Sequence, residues 1–223
     1  MTTVSTSPLH QQLETSLQQI LPEARLKLSS LPGLPEIRLW LLDPDNLERA
    51  FASEETQQLL DEPPYWGFCW GSGLALARWI LDHPEQVRGK RVLDFGSGSG
   101  IVAIACALAG ASASIACDLD PGAQRACQLN ADLNQIPLQV AGDFFAIDQP
   151  LDLLLAADVL YDRDNYPLLE HFKTRASQCL IADSRVRHLE RPDYRKIATL
   201  SGQTWPDLGE PLEFRQVALY QSV

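Results

Sequence analysis

The feature that most constrains this chain is an apolar strand that runs straight into a glycine-rich loop and then into an apolar helix. Val92-Leu93-Asp94-Phe95 reads as a buried strand, Gly96-Ser97-Gly98-Ser99-Gly100 as the loop, and Ile101 opens the helix. Glycines there let the backbone turn tightly and approach a ligand with no side chain in the way, while the helix start offers free N–H groups. The same arrangement also serves as a plain tight turn, so the surrounding pattern has to decide. From Pro64 onward, strands and helices alternate. Helices are expected over 74–81, 101–108, 121–134, 166–177 and 192–200, and strands over 91–95, 114–118, 138–141, 151–157, 179–183 and 213–221. That alternation predicts an α/β fold: a doubly wound, mostly parallel sheet of six or seven strands with helices on both faces and, from the last strand, an antiparallel edge. Ligands of such sheets sit beyond the carboxyl ends of the strands, where strand order reverses.

Residues 1–64 read as an N-terminal extension, with the main domain over 65–223. Leu9, Leu13, Leu17, Ile20, Leu21 and Leu28 recur at helical spacing with Pro22 interrupting, Ile37–Leu42 reads as a short strand, and Ser53–Asp61 as a polar helix stopped by Pro63-Pro64.

Spacing around the loop narrows its ligand. Dinucleotide sites read G-x-G-x-x-G, whereas here the third glycine comes one residue sooner and Asp94 precedes the first by two. A carboxylate beside the loop repels a pyrophosphate but suits a ligand carrying an ammonium group and a sulfonium, which points to S-adenosylmethionine rather than NAD. Asp118, 18 residues after Gly100, stands where a ribose would lie and can accept from both hydroxyls. Asp120 before Pro121 is expected to be a helix N-cap. At the end of the next strand, Asp143 can accept an adenine amino group and Phe144 can flank the ring, or the pair is an ordinary turn with a buried phenylalanine. Trp70, with Trp66, either covers the adenosine, walls an amine pocket or packs in the core. The strand over 151–157 delivers Asp158-Val159-Leu160-Tyr161 beyond the sheet edge. There Asp158 can hold and orient an amine, and the Tyr161 ring can stabilise positive charge developing on nitrogen; a helix cap and a packing ring are the alternatives.

Composition excludes several classes. Against 29 Asp and Glu there are 18 Lys and Arg, a net charge of −11, which disfavours broad nucleic-acid binding. The longest apolar run, Ile101 to Ala111, is about half the roughly 20 residues a helix needs to cross a bilayer, so no membrane span is expected. Residues 1–12 lack a basic start and an apolar run, so no signal peptide is read and a cytoplasmic location is expected. Five cysteines in apolar surroundings read as buried free thiols, and four scattered histidines give no metal site. Arg185, Arg187 and Arg191 form a basic stretch that either touches an acidic partner or stays solvated.

Taken in order, these motifs resemble a known family, the class I, seven-strand Rossmann-like S-adenosylmethionine-dependent methyltransferases. Within it, the likeness is to the protein lysine methyltransferases whose fourth strand ends in D-x-x-Y, the electron transfer flavoprotein beta-subunit lysine methyltransferases among them. It rests on Pro64-Tyr65-Trp66 through Trp70, Val87-Arg88-Gly89-Lys90, Val92-Leu93-Asp94, Gly96-Ser97-Gly98, Gly110-Ala111-Ser112, Asp118-Leu119-Asp120-Pro121, Leu129-Asn130 and Asp158-Val159-Leu160-Tyr161-Asp162. The resemblance implies that Gly96, Gly98, Gly100 and Asp118 bind the cofactor and that Asp158 and Tyr161 lie at the substrate amine. It also implies a protein substrate bearing a lysine, with the electron transfer flavoprotein beta subunit as candidate. The run Gly67-Phe68-Cys69-Trp70-Gly71-Ser72-Gly73 departs from the family's proline-containing stretch, as does the segment after Asp183. A small-molecule amine acceptor, as in nicotinamide N-methyltransferases, and a non-catalytic cofactor-binding module are the alternative readings. DNA adenine methylation requires D/N-P-P-Y, where this chain has Val159 and Leu160.

Overall fold

The computed structural model describes residues 7–47 and 51–223; residues 1–6, the first half of the segment read for a signal peptide, lie outside it. Helix α1 (Pro8–Ile20) opens with Pro8 at its first position and with the Ser7 hydroxyl accepting from the His10 N–H. It stops at Ile20, because Pro22 cannot continue it. The expectation that the helical pattern reaches Leu28 is therefore corrected. Leu26 begins β1 (Leu26–Leu31), which pairs antiparallel with β2 (Leu34–Leu42) across a turn where Gly33 has φ +67°. Helix α2 (Ser53–Asp61) follows, and α3 (Gly71–Asp82) leads into the main sheet.

The remaining elements are β3 (Arg91–Phe95), α4 (Ile101–Leu108), β4 (Ala113–Cys117), α5 (Pro121–Leu133), β5 (Gln139–Ala141), β6 (Leu151–Ala157), α6 (Leu168–Arg175), β7 (Ala176–Asp183), β8 (Tyr194–Ser201) and β9 (Gln216–Ser222). Seven strands form one sheet in the order β5-β4-β3-β6-β7-β9-β8. The five from β5 to β7 run parallel, while β9 is antiparallel to both its neighbours. Strand order reverses between β3 and β6, the place where a doubly wound sheet opens a crevice.

Two expectations about the sheet's end need correction. Residues 192–200 were expected as helix but form the edge strand β8, and β9 lies inside it rather than at the edge. The stretch carries β-branched Ile197 and Thr199, and Ala198 and Leu200 are turned inward against the core, a two-residue period that fits a half-buried strand. Its pairing partner β9 begins only at Gln216, so nothing local announces it.

The core has two faces set by strand alternation. Val92, Leu153, Leu155, Leu180 and Leu219 pack with Leu76 and Ile80 of α3 and Ile104 of α4. Their alternates Leu93, Leu154, Ile181 and Ala218 pack with Leu169 and Phe172 of α6. Leu34, Ile37, Leu39 and Leu41 of β2 join the first of these clusters, and Leu13 and Leu17 of α1 pack with Ala123, Ala126 and Leu129 of α5. The N-terminal segment therefore buries its apolar side on the same body that carries the sheet. Among the described residues no helix is long and apolar enough to cross a membrane.

Candidate active site

A cavity of about 720 Å³ opens beyond the carboxyl ends of β3, β4, β6 and β7. Its floor is the glycine loop. After Phe95 the chain turns back so that the Gly96 and Ser97 N–H groups donate to the Cys117 carbonyl, at 2.9 and 3.2 Å. Gly98, with φ +51° and no atom within 4 Å of where a Cβ would stand, leaves open space over the loop, and it lines the cavity. Any side chain there would be strained and would fill the space a ligand needs. Gly100, φ +82°, is the N-cap of α4, and a Cβ on it would meet Cys127 at 3.2 Å. Its glycine is required by packing, and it does not line the cavity.

Asp118 closes the other side of this floor. Its Oδ2 accepts the Gly98 N–H at 2.9 Å and its Oδ1 the Asp120 N–H at 3.0 Å, so the carboxylate is held in place yet keeps acceptor capacity on both oxygens. Burial raises its pKa, opposed by those two N–H donors. Asp120 caps α5 as expected, accepting the Gly122 N–H at 2.6 Å.

Asp94 is a correction. Rather than standing beside the loop's ligand, it lies beneath the loop, 2% exposed, and its Oδ2 accepts the Ala103 N–H at 3.1 Å. The physical reason is local. Helix α4 begins after a glycine that has no side chain to cap it, so the carboxyl of the preceding strand satisfies one of its free N–H groups. Burial pushes the Asp94 carboxyl up to about 8, with the Ala103 N–H opposing and the Asp118 charge reinforcing the shift.

Asp143 and Phe144 both line the cavity. Asp143 Oδ1 accepts the Phe145 N–H at 2.8 Å, and Phe144 is buried edge-on against Phe95 and Phe172. The exposed ring at this corner is its neighbour Phe145, 54% exposed, which sequence patterning did not single out.

At the opposite end stand Asp158 and Tyr161. Asp158 is one of only three non-glycine residues with positive φ among those described, at +51°. Its carboxylate takes donors from two other elements: the Ser72 N–H at 2.9 Å and hydroxyl at 2.5 Å from the start of α3, and the Ser184 hydroxyl at 3.0 Å just past β7. Burial raises its pKa, the Ser72 hydroxyl lowers it, and the nearby Asp183 charge raises it again. Tyr161 is 56% exposed with its ring centroid 6.4 Å from that of Tyr65, which in turn meets Trp70 edge-on at 5.8 Å. Burial first, then Tyr65, Asp162 and Asp118, keep the Tyr161 phenol protonated. Trp70 is half-buried on the cavity wall, its indole N–H donating to the Tyr65 carbonyl at 2.9 Å, while Trp66 is buried. Of the two tryptophans, Trp70 is thus the more open to a ligand.

A wall of the cavity comes from the long connection between β8 and β9, which sequence reading left unassigned. Cys69 and Trp205 exchange backbone bonds at 2.8 Å in both directions, and the Gly71 N–H donates to the Thr204 hydroxyl at 3.2 Å. This seam brings Thr204, Glu210 and Phe214 to the cavity, where the Arg185 guanidinium lies 4.7 Å over the Phe214 ring. The other two arginines of the basic stretch are neutralised within the chain, Arg187 by Glu213 at 3.3 Å and Arg191 by Asp193 at 2.8 Å and by Glu170. Among the described residues no group of three or more His, Cys, Asp or Glu side chains is placed to hold a metal.

One end of the cavity is therefore backbone and carboxylate, suited to an ammonium and a ribose, and the other is aromatic and acidic, suited to an amine. The family model described as ribosomal protein L11 methyltransferase (PrmA) matches residues 76–161. The fold is similar to the crystal structure of magnesium protoporphyrin IX methyltransferase from Synechocystis, with a TM-score of 0.53 and 14% identity over 78% of this chain and 86% of that one. The electron transfer flavoprotein beta subunit lysine methyltransferase of Homo sapiens is 38% identical over 155 residues, 68% of this chain, which spans 58% of that protein's length. The Xenopus laevis protein of the same name is 35% identical over 188 residues, 80% of this chain and 75% of its own. With that breadth of likeness added to the loop, the paired acids and the sheet order, the chain belongs to the family of the electron transfer flavoprotein beta subunit lysine methyltransferases.

Proposed function

We propose that this chain transfers a methyl group from S-adenosylmethionine to the side-chain nitrogen of a lysine on a protein substrate, with the electron transfer flavoprotein beta subunit as the candidate acceptor. The observation that carries the reading is that Gly98 and Asp118 at one end and Asp158 and Tyr161 at the other line a single cavity. The open space over Gly98 and the unused acceptor sites of Asp118 fit a nucleoside carrying an ammonium group. When bound, S-adenosylmethionine supplies a methyl group on a sulfonium, and the electron pair of the broken bond stays with sulfur. Gly96, Gly98 and Asp118 hold its polar end, Phe144, Phe145 and Trp70 cover its base, and Asp143 accepts from that base.

Transfer is an in-line displacement, so the chain's contribution is to align a neutral nitrogen and to exclude water. The lysine ammonium releases one proton to solvent before its lone pair can form the new bond. Asp158 accepts a remaining N–H and fixes the direction of that lone pair. Tyr161, kept neutral, offers its ring face to the positive charge that grows on nitrogen. The named relatives, the family's D-x-x-Y pattern and the aromatic rim at Tyr65, Trp70 and Tyr161 support a side chain reaching in from a protein. Five free and buried cysteines support a reducing, cytoplasmic setting.

The experiment is incubation of the purified protein with radiolabelled S-adenosylmethionine and a cell extract, fractionated by size before counting. Label in one protein band at the mass of a flavoprotein subunit is the expected result. Label confined to small molecules would move the acceptor to the metabolite class, and tight cofactor binding without any label would leave a binding module.

A further inference from the structure

The Asp158 carboxylate is engaged unevenly. Oδ1 receives three donors, the Ser72 hydroxyl at 2.5 Å, the Ser184 hydroxyl at 3.0 Å and the Ser184 N–H at 3.4 Å, whereas Oδ2 receives only the Ser72 N–H at 2.9 Å. An ionised carboxylate offers about four acceptor sites shared between its oxygens. Oδ1 is thus filled by the protein, and Oδ2 keeps a place. Both serines are buried, Ser72 completely, so the Ser72 hydroxyl has no solvent alternative. The backbone of Asp158 is itself held in the left-handed region, its N–H tied to the Ala182 carbonyl at 3.0 Å. A sparsely populated conformation held from three sides belongs where direction matters.

We propose that Ser72 and Ser184 are positioning residues that occupy Oδ1 of Asp158 and present Oδ2 as the acceptor for the N–H of the incoming amine. The inference rests on the assignment of Asp158 to the amine. It also gives a role to Ser72 and Ser184, which lie in the two segments that depart from the family's pattern. Because both hydroxyls donate to the ionised form, they also favour it. The ionisable groups facing this carboxyl are Asp183 from β7 and the Cys69 thiol ahead of α3, and farther around the cavity Asp118, Asp164, Glu210 and Arg185. Neither near neighbour is a cation, so the serine donors are what opposes the burial of the charge.

The test compares the parent protein with Ser72→Ala, Ser72→Thr and Ser184→Ala by two readouts. One is the carboxyl ¹³C titration of Asp158 in the labelled protein, assigned with Asp158→Asn, which needs no acceptor. The other is the pH dependence of methyl transfer to the electron transfer flavoprotein beta subunit, with cofactor affinity measured by calorimetry. For Ser72→Ala we expect the Asp158 titration and the acid limb of the rate profile to move together to higher pH. We also expect kcat to fall about tenfold or more, with cofactor Kd unchanged. Ser72→Thr, which keeps the hydroxyl, restores the parent behaviour, and Ser72→Ala adds no further loss in an Asp158→Ala background. If Ser72→Ala does not fold, Ser184→Ala reads the same shift. An unmoved Asp158 titration overturns the clamp. A titration that moves while rate and pH profile do not shows the clamp to be intact but Asp158 absent from the amine, which overturns the assignment beneath it.

Discussion

The two ends of the cavity are built by different means. At the glycine loop, donors and acceptors are satisfied within two adjacent strand-to-helix turns, Gly98 to Asp118 and Asp118 to Asp120, all backbone to carboxylate. At the mouth, by contrast, the key carboxylate is oriented by hydroxyls from α3 and from beyond β7, and exposed rings of Tyr65 and Tyr161 form the rim. The first end needs only local backbone geometry and suits a ligand that is always the same. The second depends on side chains gathered from distant positions in the chain.

If that contrast is right, substitutions at the two ends separate binding of the cofactor from chemistry. The largest effect is expected at the mouth. Asp158→Asn should slow methyl transfer by about 10²-fold, the cost of a misaligned nucleophile, while calorimetry shows cofactor affinity close to the parent's. A normal turnover would mean that another group orients the amine. Next comes Asp118→Ala, which should weaken cofactor binding by ~1–3 kcal/mol, since a charge-bearing acceptor is lost. Unchanged affinity would remove Asp118 from the ribose. Tyr161→Ala should lower kcat for methyl transfer several-fold, on the order of 1 kcal/mol for a cation over an aromatic face, with cofactor binding untouched. An equal loss of cofactor affinity would blur the division between the two ends.

A separate effect, on neither end of the cavity, concerns stability. Asp94 has a folded-state pKa near 8 against an unfolded value near 3.8. Between those values the folded chain holds a proton that the unfolded chain has lost, so this group's contribution to stability falls as pH rises across that window. Asp94→Asn keeps an acceptor for the Ala103 N–H and removes the titration. Its denaturation midpoint should decline less between about pH 4 and 8 than the parent's. Parallel pH curves for the two proteins would show that Asp94 does not titrate there.

Legibility in the sequence follows the same contrast. The loop from Gly96 to Gly100 and the Asp120 cap were readable because each lies within a few residues of the backbone it serves, and Asp118 was readable from its place after the second strand although it also reaches Gly98, 20 residues away. Phe144 was readable from the strand end before it, but that its ring is buried while Phe145 stays open depends on Phe95 and Phe172 packing from elsewhere. Ser72, Ser184, Thr204 and Phe214 carry no spacing signal at all, since they meet only when β7, α3 and the β8–β9 connection converge. Strand β8 has a weak two-residue period of its own at Ala198 and Leu200, but the partner that completes it, β9, starts only at Gln216. A clue to Ser72 did exist, in the departure of residues 67–73 from the family's run, but only the fold supplies the partner that explains it.

The seam between Cys69 and Trp205 ties the mouth's two halves together across more than 130 intervening residues. Each half satisfies backbone groups of the other, so Cys69→Pro removes an N–H and leaves the Trp205 carbonyl without its partner. The two segments of the mouth therefore behave as one structural unit. A graft of residues 65–73 from a relative should keep the fold best when residues 202–214 are exchanged with them, which thermal denaturation of the single and joint grafts checks.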